Sequence, residues 1–196
     1  TLGGALVPLV GAAPTNVNFV GGDYDRETGL KGNGSDKRLT LGAPSYAQND
    51  AHAAVYLGES YTPAGTEGFM QNGGASDNGS TALAMTTSLA IPRVTFNGTG
   101  GTVSKAGAYS AGLFGAARSN STDLSYRFDG TTSSVSSTSG TTRVDAFNVF
   151  CRGPTGTPTQ YTSARLAWVS HGDAITLADL DARLSTLLAA LTAAIA

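Results

Sequence analysis

Carboxyl groups are the first residues to place, because acid–base cleavage of a glycosidic bond needs two of them flanking that bond. The chain has three glutamates, Glu27, Glu59 and Glu67, and no two of them stand at alternating positions of one strand. Asp179 and Asp181 are two residues apart in a stretch that reads as helix, where that spacing points them to different faces. The acid spacing therefore makes a polysaccharide hydrolase the least favoured reading, and the chain is expected not to be an enzyme. Nitrogen and sulfur ligands are as sparse: His52, His171 and Cys151. Zinc takes three or four ligands, and these three read instead as a strand-face imidazole, a strand-end imidazole and a small buried thiol. Ser170 and His171 are adjacent on a strand and face opposite ways, so they do not make a nucleophile and its base.

Two binding chemistries fit the residues better. Asp23, Asp25 and Glu27 alternate in the Gly-rich stretch 21–29, the kind of oxygen cluster that suits calcium. They are the candidate metal site, and no other cofactor is expected. Tyr46, Tyr61, Tyr109 and Tyr161 fall in candidate loops, where exposed aromatic rings stack on sugar faces. They are the candidate glycan-binding residues.

The elements that must position these groups are mostly short strands. Residues 51–57 alternate, with Ala51, Ala53, Val55 and Leu57 on one face and His52, Ala54 and Tyr56 on the other. A short apolar run stands at 16–20, the stretch 30–41 carries a tight turn at Asn33-Gly34 and an alternating strand with Leu39 and Leu41 on one face, and further strands are read at 81–86 and 93–97, with a brief one at Phe69-Met70. Residues 112–118 and 123–129 read as a hairpin pair, and Asp129-Gly130 opens another turn. The hydroxyl-rich stretch 130–142 fits a polar strand or a surface loop equally. Residues 145–152 and 164–171 are apolar strands, and Trp168 is read as core. One helix follows: Leu177, Leu180, Leu184, Leu187, Leu188, Leu191 and Ile195 keep helical spacing, with Thr176 as its N-cap. Leu187, Leu188, Leu191 and Ile195 cover more than one narrow stripe, so they are the candidate interface with a neighbouring chain.

Composition narrows the function classes. Twelve Lys+Arg against fourteen Asp+Glu leave a net charge of -2, with no basic footprint for nucleic acid or an anionic membrane. Charged residues are 13% and glycines 26 of 196, the balance of a turn-rich β protein that solubilises itself with hydroxyls and amides. No run approaches the twenty apolar residues of a membrane span, so no membrane insertion is expected. The opening Thr1-Leu-Gly-Gly-Ala-Leu-Val-Pro8 lacks a Met and a basic region. It is not read as a secretory signal, and Thr1 is expected to be a processed or an internal start. All 196 residues are read as one domain, an all-β, two-sheet antiparallel sandwich with a single C-terminal amphipathic helix over 177–195.

Several stretches, in this order, carry a family likeness. Gly29-Leu-Lys-Gly-Asn-Gly-Ser-Asp-Lys-Arg-Leu39 resembles an early strand of concanavalin A-like, laminin-G-like jelly-roll domains. Asp123-Leu-Ser-Tyr-Arg-Phe-Asp-Gly130 resembles their mid-domain hairpin, and residues 148–152 and 164–180 resemble their closing strands and helix start. The opening stretches 5–11 and 18–30 are similar to the modules of this family in tailed-phage virion proteins, cyanophage sequences among them. The resemblance implies a jelly roll of about a dozen strands placed on a virion surface. It implies a structural or display role, as capsid decoration or tail component, with other virion proteins and further copies of the chain as partners. The alternative it implies is a lectin-like receptor-binding domain for cell-surface polysaccharide. The glucanases of this fold carry catalytic acids as Glu-x-Asp-x-x-Glu, a string absent here.

Overall fold

A computed structural model describes residues 1–74, 79–86, 91–98, 109–153 and 157–195. A helical turn, Leu2–Ala5 (α1), precedes strands Thr15–Val17 (β1), Tyr24–Asp25 (β2), Gly29–Lys31 (β3), Arg38–Thr40 (β4) and Ala51–Leu57 (β5). Then come Glu67–Asn72 (β6), Thr81–Thr86 (β7), Ile91–Thr95 (β8), Gly112–Arg118 (β9), Asp123–Phe128 (β10) and Thr131–Ser136 (β11). Asn148–Val149 (β12), Arg165–Gly172 (β13) and the helix Leu177–Ile195 (α2) complete the described elements. The strands form two antiparallel sheets, ordered β1-β4-β12-β6-β7-β8 and β11-β10-β9-β5-β13-β3-β2. The fold is thus an all-β two-sheet sandwich with a C-terminal helix.

Alternation builds the core. Ala51, Ala53, Val55 and Leu57 face inward from β5, opposite the row Val149, Met70, Leu83 and Val94 of the other sheet. Between them Phe69, Tyr109, Phe114 and Phe128 meet edge to face, with ring centroids 4.4–6.1 Å apart.

Local chemistry explains where the strands depart from the sequence pattern. β6 is longer than the brief strand expected, and all six of its residues are buried. It is a central strand, and a Cβ on Gly68 would stand 2.5 Å from the Cys151 carbonyl carbon, so only glycine admits this approach. Within residues 145–152 the strand shrinks to Asn148–Val149, with an isolated bridge from Arg152 to Thr159, and Phe150 turns to a left-handed φ of 72°. Residues 131–136 resolve as a polar edge strand. Asp129 and Gly130 both take positive φ, 46° and 72°, the geometry of a two-residue hairpin turn.

The helix lies on the outer face of the seven-stranded sheet. Leu177 and Leu184 are buried against Ala54, Leu113 and Ala117, with Leu180, Tyr56 and Trp168 around them. Trp168 therefore belongs under the helix and not in the core between the sheets, because its neighbour Val169 takes the inward position. Gly115 makes room: a Cβ there would sit 2.9 Å from Ala54 Cβ and 3.3 Å from Leu177 Cδ2. Arg127 clamps the first half of the helix, donating from Nε and Nη2 to Asp181 at 2.8 Å.

Candidate functional surfaces

The acids of the 21–29 loop are occupied with the loop itself. Asp23 accepts from the Val20 N–H at 2.8 Å and pairs with Lys37. Burial pushes its carboxyl up, but the Lys37 and Val20 bonds outweigh that and hold it below its ordinary 3.8. Asp25 caps the turn, accepting from the Thr28 and Glu27 N–H groups and the Thr28 hydroxyl at 2.8–2.9 Å. Those bonds, Thr28 first, lower its pKa. Glu27 is exposed. Among the described residues no three His, Cys, Asp or Glu side chains group as a metal site, so the carboxylates of Asp23, Asp25 and Glu27 do not form one cluster.

The four tyrosines part company. Tyr46 and Tyr109 are buried, Tyr109 completely, and burial pushes both phenols well above their usual pKa. Neither ring can stack on a sugar, which corrects their reading as exposed glycan-binding aromatics. Their stretches carry turn residues, but their rings fill the space beside Phe96 and between Phe69 and Phe128. Tyr61 is half-buried, its hydroxyl donating to the buried Glu67 and standing 3.0 Å from Ser163 Oγ. Tyr161 is half-buried as well.

The interface candidates divide along the helix. Leu187 is 38% and Leu191 50% exposed, while Leu188 is half-buried. Ile195 ends the helix, and its side chain lies outside the described residues. No charged residue follows Arg183 in the helix. Ala182, Arg183, Thr186, Leu187 and Ala190 lie together on one exposed face of this stretch. The small Ala182, Thr186 and Ala190 recur there at four-residue steps, leaving a shallow row between the larger side chains.

Cys151 is buried, and burial pushes its thiol up to about 12. The two histidines lie on opposite faces near one end of β5 and β13. His171 faces inward, its ring centroid 4.9 Å from Phe147 and 6.3 Å from Tyr46. His52 faces outward, with Nε2 2.8 Å from Ser170 Oγ and Nδ1 2.6 Å from the Asp173 carbonyl oxygen. Burial lowers both imidazole pKa values below 6.5. The reading that Ser170 and His171 do not pair stands, but the sequence pattern missed Ser170 and His52. They are 118 residues apart, and only the register Ser170↔Ala54 and Gly172↔His52 makes them diagonal neighbours.

No protein-family model matches the chain, and no curated protein matches it. Among solved structures, the enzymatically active domain of tailspike protein 2 of bacteriophage CBA120 superposes with a TM-score of 0.50 at 12% identity, covering 85% of this chain. A full-length tailspike protein 2 from an Escherichia coli O157:H7 bacteriophage superposes at 0.47 with 14% identity, again over 85% of this chain. The chain spans only 28% and 25% of those two proteins. At such identity the likeness is one of fold: the sandwich is an architecture also found within a phage tailspike.

Proposed function

We propose that the chain is a non-enzymatic structural and display module of a phage virion, a tail component or capsid decoration of the laminin-G-like kind. It works at the virion surface through protein–protein assembly. The carrying observation is the bare half of α2. Leu187 and Leu191 extend the seam of Leu177, Leu180 and Leu184 at alternating three- and four-residue steps, yet they leave the sheet and face solvent. An uncharged apolar helix end is suited to another apolar surface, and a second copy supplies one without like-charge repulsion. The fold likeness to a tailspike supports a tail location, and the bonds that occupy Asp23, Asp25, Glu67 and Asp181 support a non-catalytic role. The test is the mass of the purified chain by light scattering, with and without calcium. A stable oligomer indifferent to calcium is expected, and a monomer under both conditions would overturn self-assembly.

A second reading, a lectin-like domain for cell-surface polysaccharide, rests on Tyr161, the candidate tyrosine that is neither buried in the core nor packed on it. It predicts sugar binding that Tyr161→Ala abolishes on a glycan array.

A further inference from the structure

Ser170, His52 and the main chain at Asp173 form a relay that the assembly role does not use. A carbonyl oxygen only accepts, so at 2.6 Å from the Asp173 carbonyl His52 Nδ1 must carry the proton. That leaves Nε2 of the neutral ring as an acceptor, and at 2.8 Å the proton it accepts is that of the Ser170 hydroxyl. Nucleophile, base and the group orienting the base thus stand in order within hydrogen-bond reach. The base is also held neutral: burial outweighs the Asp173 and Gly172 contacts that favour the charged ring. Both side chains are half-buried, on the outer face of the sheet just before α2 begins. The Asp50 carboxylate accepts from the Ala174 N–H at 2.8 Å, fastening the turn that carries the Asp173 carbonyl.

We infer that Ser170 is an activated nucleophile that accepts one acyl group from an activated ester, with His52 as its base. As Ser170 Oγ attacks the ester carbonyl, its proton passes to His52 Nε2 and the Oγ–C bond forms. The carbon–oxygen bond to the leaving group then breaks, and the departing oxygen takes its electron pair and the proton from His52. The product is an O-acyl serine and a free alcohol or phenol. This chemistry is stoichiometric and independent of the assembly role: it asks for capture of an acyl group, not for turnover.

The probes are p-nitrophenyl acetate and a fluorophosphonate, with the adduct located by peptide mass spectrometry on the intact chain. One p-nitrophenolate released per chain and one adduct on Ser170 are expected, with the adduct abolished in Ser170→Ala and slowed about 100-fold in His52→Gln. Labelling of the unaltered chain should rise with pH as His52 loses its proton, half-maximal below the ordinary 6.5, which tests the proposal even if a variant misfolds. The groups around His52 that bear on this profile are Asp173 and His171, beside the neighbouring Asp50. No adduct on Ser170, adducts spread over the surface serines, or equal labelling in the folded His52→Gln variant would each overturn it.

Discussion

The two halves of α2 share one sequence pattern and meet different fates. Leu177, Leu180 and Leu184 follow the same spacing as Leu187 and Leu191, but the first three pack on Ala54, Leu113 and Ala117 while the last two face solvent. The first half is also pinned by polar contacts, Arg127 to Asp181 and Tyr56 Oη to Ser185 Oγ at 3.2 Å. No such bond to the sheet is found for residues beyond Ser185 among the described residues. A helical stripe thus says that a partner surface exists. It does not say whether that surface belongs to the same chain.

Substitutions sharpen the contrast. Leu184→Ala should cost the most, about 2–5 kcal/mol in urea unfolding, because it opens a cavity where the helix is sealed to the sheet. Gly115→Ala inserts a methyl between Ala54 and Leu177 and should cost about 1–3 kcal/mol, loosening the same half of the helix. Arg127→Met removes the clamp on Asp181, whose side chain is 15% exposed, and should cost about 1 kcal/mol. If Leu187→Ser destabilises an isolated monomer as much as Leu184→Ala does, the division of the helix is wrong.

Acid should also act on one half alone. His52 and His171 have folded pKa values below the unfolded 6.5, so the unfolded chain binds more protons as pH falls. Their contribution to stability is full above 6.5 and is lost progressively as pH drops from there through the folded values. Hydrogen exchange in that window should quicken at β5, β13 and the start of α2. Residues 184–195 carry no titratable side chain and should not respond directly.

Much of the architecture was legible because one face of each strand is buried. The alternation at 51–57 predicted both faces of β5, and the leucine spacing predicted α2 from Leu177 to Ile195. Three things were hidden, all of them set by tertiary context. The apolar stretches 145–152 and 164–171 look alike, but one gives a two-residue strand in the six-stranded sheet and the other an eight-residue strand in the seven-stranded sheet. Tyr46 and Tyr109 sit among turn residues, yet their rings reach the core, which local composition does not report. Ser170 and His52 meet only through the β5–β13 register, and no spacing along the chain signals a cross-strand pair.

The most direct test of the account is sedimentation of the unaltered chain and of the Leu187→Ser/Leu191→Ser double variant over a dilution series. An oligomer that the double variant converts to a folded monomer, with unchanged far-ultraviolet circular dichroism, is the predicted result. An oligomer of the same mass in both proteins would contradict the claim that the bare half of α2 joins the copies, and so would an unaltered chain that stays monomeric at every concentration.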